Sequence, residues 1–190
     1  MEARIPALTR DALGDTREAD TTQPVIDFAS LYRAHARDVH RFVLFLSGNP
    51  DVADDIVSET FIRLWNARSR VDLATVRAYL FAIARNLFLQ QQRHSHRRAA
   101  LDDRVIDENP GPEQRAGSRD QLRAVLAALQ TLPEVDRAAL LMRADDGLPY
   151  AEIAATLGIS VASAKVKVHR ARLALGRLVP GAVPAPKEKS

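Results

Sequence analysis

From Val25 to about Ala100, apolar residues recur at helical spacings and never in the strict alternation of a half-buried strand. The Gly48-Asn49-Pro50 break divides this block. Asn49 can cap the helix that follows, and Pro50 suits its first turn. In that helix Ala53, Ile56, Val57, Thr60 and Leu64 project to one side, the expected core. Asp51, Asp54, Asp55 and Glu59 project to the other, with Ile62 and Trp65 among them. A polar stretch over 66–75 leads into a long helix predicted from about Val76 to Arg98. Val76, Leu80, Ile83 and Leu87 form its core stripe, and Arg77, Phe81, Arg85, Phe88 and Gln92 form a second one. Helical periodicity resumes at Asp120 and runs to Val179.

The intervening segment 101–119 differs in character. It carries Asp102, Asp103, Asp107, Glu108 and Glu113 around the turn cluster Asn109-Pro110-Gly111-Pro112, a linker composition. Residues 1–24 mix charges, Thr and Pro without a period, and 180–190 contains three prolines; both are read as disordered tails. The expectation is an all-α chain of two small helical domains, 25–100 and 120–179, joined by a flexible linker. Each block lies near the lower size limit for an independent core.

The C-terminal block carries a local signature. Tyr150–Leu157 reads as a short helix with Ile153, Ala154 and Leu157 inward. Gly158 can adopt positive φ at its end, Ile159 can plug the gap, and Ser160 can cap the next helix. That order is a helix-turn-helix, with Ala154 as the small residue where the helices approach. At ~100° per residue, Val161, Ala164, Val168, Ala171, Leu175 and Leu178 fall on one arc of the second helix. Ser163, Val166, Arg170 and Arg177 lie opposite, with Lys165, Lys167 and Arg172 on the flanks. No acid occurs from Ile153 to Pro186, whereas Lys165, Lys167, Arg170, Arg172 and Arg177 supply five positive charges. Such a face suits phosphates, and Ser163 and Val166 suit base edges or a thymine methyl. A basic run alone is usually a solvated face. The coincidence of turn, cap, small residue and acid-free helix favours DNA.

Composition adds exclusions. The 190 residues include no cysteine, which removes a disulfide scaffold, a thiolate metal site and a cysteine nucleophile. Aromatics are 5% against 46% hydrophobic residues, so the cores are mainly aliphatic. The net charge is only +3, so charge distribution matters more than the total. The longest apolar runs, Phe42–Leu46 and Ala78–Ala84, are far shorter than the ~20 residues of a membrane span. The N-terminus lacks a signal pattern, so a cytoplasmic protein without membrane insertion is expected.

Two features admit two readings. Acids in the first turn after Asn49 are favoured by the helix dipole, which covers Asp51 and Asp54. An acidic face that also holds Trp65 suits a docking surface. Arginines interleaved with Phe81 and Phe88 suit single-stranded DNA, but each ring is more often core than stacking platform. His94 and His96 lack a third ligand at metal spacing, so no metal and no cofactor is expected. The acids at 51–59 are splayed along one helix, which argues against a small nuclease or another enzyme. A stand-alone helix-turn-helix regulator with a sensing or dimerising N-terminal domain remains the alternative.

The run Gly147-Leu-Pro-Tyr-Ala-Glu-Ile-Ala-Ala-Thr-Leu-Gly-Ile-Ser-Val161, with Lys165 and His169-Arg-Ala-Arg172, resembles the C-terminal region of extracytoplasmic-function (ECF) sigma factors of bacterial RNA polymerase. Leu132-Pro133-Glu134, Arg137 and Leu140-Leu141 resemble the segment before it. Asp51 to Trp65, after Phe28, Leu31, Tyr32 and Arg41, resembles the polymerase-binding helix of that family. Arg77-Ala-Tyr-Leu-Phe-Ala-Ile-Ala-Arg-Asn86-Leu resembles its minus-10 reader. Ala164, Val166-Lys167, Tyr79 and Gln90 depart from the usual residues. The resemblance implies a factor that binds core polymerase, reads minus-35 and minus-10 promoter elements and promotes opening. It implies minus-35 contacts by Ser160, Ser163, Lys165, Val166, Lys167, Arg170 and Arg172, and minus-10 contacts by Arg77, Arg85, Asn86 and Arg93. It places Asp51, Asp54, Asp55, Glu59, Ile62 and Trp65 on the clamp coiled coil of the largest polymerase subunit. An anti-sigma partner is also implied.

Overall fold

The computed structural model describes residues 27–68, 71–101, 118–144 and 147–179. The segments read as tails and most of the linker lie outside them. Seven helices are described: α1 Phe28–Ser47, α2 Pro50–Asn66, α3 Val76–Leu101, α4 Ser118–Gln130, α5 Glu134–Arg143, α6 Tyr150–Leu157 and α7 Val161–Leu178. The described residues contain no strand.

Local chemistry fixes the helix ends. Asp27 caps α1 by accepting from Ala29 N at 3.1 Å. Gly48 ends it at φ 73°, and its amide donates to Leu44 O. Asn49 Oδ1 then accepts from Asp51 N at 2.8 Å and Val52 N at 3.2 Å, with Pro50 at the first position of α2. One short turn therefore closes one helix and opens the next.

The inward face of α2 is Ala53, Ile56, Val57, Thr60, Phe61 and Leu64. It packs on Val39, Phe42, Val43 and Leu46 of α1 and on α3. Phe42 and Phe81 lie with ring centroids 4.7 Å apart. Leu46 and Leu80 are fully buried, each worth about 2 kcal/mol of transfer free energy.

The two halves share a core, which a reading as two independent blocks does not anticipate. Ala138, Ala139, Met142, Leu148 and Ile153 belong to the same buried cluster as the α1–α3 residues. A smaller cluster of Leu129, Leu132, Leu140, Ala171 and Leu175 packs against Phe45 of α1. Polar groups cross the seam as well. Arg85 of α3 grips Glu134 of α5 through two hydrogen bonds of 2.7 Å. Gln130 Nε2 donates to Phe45 O at 3.1 Å, while its Oε1 accepts from Arg137 Nη1 at 2.8 Å. Arg137 also donates to Leu129 O, so a buried guanidinium ties the end of α4 to α5. Burial lowers its pKa, and the charge of Glu134 opposes that.

Candidate nucleic-acid interface and docking face

The helix-turn-helix forms where its residues predict. Gly158 sits at φ 66° and Ile159 N donates to Ala154 O at 3.0 Å across the turn. Ser160 accepts from Ser163 N at 3.1 Å and caps α7. Ala164, Val168, Ala171 and Leu175 are buried; Val161 and Leu178, at the ends of the expected arc, are exposed. Arg143 braces the approach by donating to Gly147 O and Leu148 O and lying over the Tyr150 ring at 4.9 Å.

The expected DNA-reading residues of α7 divide into groups. Ser160, Lys165 and Val166 are exposed, Val166 at 60%. Ser163 is half-buried. Lys165 Nζ lies 5.9 Å from the centroid of Tyr150. Lys167 and Arg170 converge on Asp136 of α5: Lys167 Nζ donates to Oδ1 at 3.1 Å and Arg170 Nε to Oδ2 at 2.9 Å. The Asp136 side chain is 3% exposed, that of Lys167 25% and that of Arg170 62%. Arg172 turns to the seam between the halves, beside Leu175 and Leu140.

Asp136 and Glu134 carry partners no single-helix pattern assigns. One signal was present: Asp136 lies three and four residues before buried Ala139 and Leu140, so it occupies the inward face of an amphipathic helix. An acid there needs a cation, and α7 supplies two.

The α3 residues also separate. Phe81 and Phe88 are core, 3% and 4% exposed, which decides between the two readings of those rings. Arg77 pairs with Asp38 at 3.1 Å and lies over Phe81 at 5.7 Å. Arg85 is committed to Glu134 and little exposed. Asn86 is half-buried one residue beyond it. Arg93 is exposed, its Nε donating to Leu89 O at 3.2 Å, and His94, His96, Arg97 and Arg98 continue an exposed basic end.

On α2 the expected face stands outward as a unit. Asp51, Asp54 and Asp55 are exposed, Ile62 is 55% exposed and Trp65 43%. Asp54 meets His40 Nε2 at 3.1 Å, and Glu59 pairs with Arg63 at 2.7 Å. Trp65 is steadied by Phe28, edge-on at 5.4 Å, and by Arg68 over its ring at 4.2 Å. An exposed indole held in one orientation among carboxylates loses little freedom on contact with a partner.

A helix-turn-helix on one half and an exposed acidic face with an aromatic on the other fit the class of DNA-reading proteins. Comparisons with known proteins agree. Residues 31–98 match the model of sigma-70 region 2, and residues 122–175 match sigma-70 region 4. The ECF RNA polymerase sigma factor SigE of Mycolicibacterium smegmatis is 37% identical over 85% of this chain, which spans 63% of that relative's length. EcfG of Rhodopseudomonas palustris is 35% identical over 73% of this chain and 77% of the relative. Among solved structures, the sigma factor RpoE in complex with the anti-sigma factor NepR from Bartonella quintana is similar. It superposes with a TM-score of 0.72 and 28% identity, covering 83% of this chain and 99% of that one. CnrH in complex with the cytosolic domain of CnrY gives 0.61 at 25% identity, over 82% of this chain and 89% of that one. The chain belongs to the ECF family of RNA polymerase sigma factors.

Proposed function

We propose that this chain docks on core RNA polymerase through the outer face of α2, reads a minus-35 element with α7 and a minus-10 element with α3, and promotes strand opening. The observation that carries it is the region 2 match and the region 4 match in chain order, the second holding a formed helix-turn-helix. Asp51, Asp54, Asp55, Glu59, Ile62 and Trp65 meet the clamp coiled coil. Ser160, Ser163, Lys165, Val166 and Arg170 face the minus-35 duplex, with Lys167 and Arg172 behind them. Asn86 and the exposed Arg93 face the opened strand, with Arg77 and Arg85 beside them. Trapping an unstacked base offsets the cost of opening. The chain works in the cytoplasm and performs no catalysis of its own. An anti-sigma factor is a further partner, as NepR is for the similar RpoE. The domain limits are 25–100 and 120–179, bridged by 101–119.

The two promoter elements lie apart on DNA, so the halves must part from the shared core to reach both. Arg85, half of the cross-seam pair, is then released toward the minus-10 strand. A stand-alone regulator has no use for a polymerase-docking face and is not favoured. The test is run-off transcription with core polymerase and a promoter library. Discrete start sites that need this chain are expected, and Asn86→Ala should lower open-complex formation on duplex templates and shift the minus-10 preference. Tight sequence-specific binding by the chain alone, with no effect on core polymerase, would sink the reading.

A further inference from the structure

A buried acid stands directly behind the cations of the recognition helix. Lys167 and Arg170 share one side of α7, and Asp136 of α5 lies beneath both. Lys167 gives its ammonium to Oδ1 at 3.1 Å, and its side chain is only 25% exposed. Arg170 gives Nε to Oδ2 at 2.9 Å and Nη2 to the same oxygen at 2.5 Å. That side-on grip leaves Nη1 and the second hydrogen of Nη2 for an outside acceptor. We propose that Asp136 is a positioning residue that sets the DNA selectivity of α7. It withdraws Lys167 from phosphates and holds Arg170 in one direction, so that one cation of the pair fixes the register of the helix on the duplex.

The reason lies in what each contact can discriminate. Attraction to phosphate is nearly the same for any sequence, so a free cation adds affinity for every duplex and selects none. Base edges fall to Ser163 and Val166, short side chains on the two turns before Arg170, which reach a base only when the helix sits in one register. A loose arginine meets any of several phosphates. One pinned at Nε and Nη2 meets one, and so selects that register. One carboxylate against two cations leaves one net positive charge, and it resides on the pinned arginine. Asp136→Asn keeps an acceptor in place but leaves both cations uncompensated and loosened.

Val166 is 60% exposed and the Arg170 side chain 62%, so this face is open in the full chain. The meaning for a minus-35 element rests on the function proposed above; the effect on duplex selectivity is measurable without polymerase.

The experiment uses the full chain, alone and with core polymerase. Duplexes are enriched from a random-sequence pool with the unsubstituted chain. Affinities for the enriched duplex and for the starting pool are then measured over a series of salt concentrations. Asp136→Asn should bind the starting pool about fivefold more tightly at about 0.1 M salt, with a salt slope steeper by about one. Its preference for the enriched duplex should fall by about tenfold. Adding Lys167→Met to Asp136→Asn should return the slope and the pool affinity to the unsubstituted values, a rescue that a damaged fold does not permit. It should restore only part of the preference, because Arg170 stays loose. Should Asp136→Asn alone fail to fold, the double variant, which has the original charge balance, decides by its preference. Overturning results are an unchanged slope and preference in Asp136→Asn, equal weakening on both DNAs, full preference in the double variant, or a pool from which neither form of the protein enriches any duplex. Enrichment with the expected shifts, but no start sites with core polymerase, would instead fail the sigma reading and leave the role of Asp136 standing.

Discussion

The acidic face of α2 and the basic face of α7 look alike on helical projection, one row of like charge beside an apolar stripe, yet the fold treats them oppositely. On α2 the carboxylates stay in water, and their partners, His40 and Arg63, are themselves partly exposed. On α7 two cations are drawn onto a buried carboxylate of another helix. An exposed charge row whose few ion-pair partners are themselves exposed is weakly held and open to a partner. A row anchored from below is part of the architecture, and only what projects beyond the anchor is free to read DNA. The same projection therefore supports a docking surface in one case and a divided surface in the other.

Removing the anchor should have the largest effect. Asp136→Ala leaves Lys167 poorly solvated and uncompensated, and should destabilise the protein by about 3 kcal/mol in urea unfolding, the low end for a broken buried pair because Arg170 is exposed. A loss below about 1 kcal/mol would place Asp136 with the surface acids of α2 and erase the contrast. Charge reversal on α2 comes next. Asp55→Lys with Glu59→Lys should weaken capture of core polymerase by about tenfold or more while helicity by circular dichroism is kept. Undiminished capture would mean that the exposed row is only solvated.

A finer division is expected within α7. Arg170→Ala should lower the salt slope of promoter binding by about one, because the outer side of its guanidinium remains free for a phosphate. Lys167→Met should leave the slope unchanged, since its ammonium is spent on Asp136. Equal slopes for the two variants would contradict the division. The smallest effect concerns His35 of α1. Burial lowers its pKa below 6.5, the positive charge of Arg77 adds to this, and Asp38 opposes it. The unfolded chain then binds the proton more readily, so stability is full above pH 6.5 and falls as pH drops through that value toward the folded pKa. His35→Gln should flatten the stability profile in that window; an unaltered slope would assign the acid sensitivity elsewhere.

How much of this was legible depended on reach along the chain. The Gly158 turn, the Ser160 cap and the Asn49-Pro50 start are settled within four residues, and the structure forms all of them. The outward position of Ile62 and Trp65 follows from the period of one helix. Phe81 and Phe88 share a stripe with Arg77 and Arg85, so spacing alone cannot say which side the neighbours cover; packing against α1 puts Phe81 inside. The Arg85–Glu134 and Lys167–Asp136 pairs join residues 49 and 31 positions apart, beyond any local pattern. The shared core was hidden for a related reason. An acidic, proline-broken segment suggests independence of what it joins, but it does not forbid the flanking helices from meeting.

Gly48 carries a consequence for how such a chain can drift. Its φ of 73° already disfavours a side chain, and a Cβ there would meet Gln130 Cδ at 3.2 Å. Gln130 is the residue whose amide satisfies Phe45 O, in the last turn of the helix that Gly48 ends. A replacement at 48 would thus be felt twice, as torsional strain in the turn and as pressure on a residue of the other half. Relief of the second could come from a shorter side chain at 130, but only by leaving a carbonyl of α1 without its donor. The two positions, 82 residues apart, are expected to change together or not at all, so that a loop in one half keeps a record of the surface it rests on.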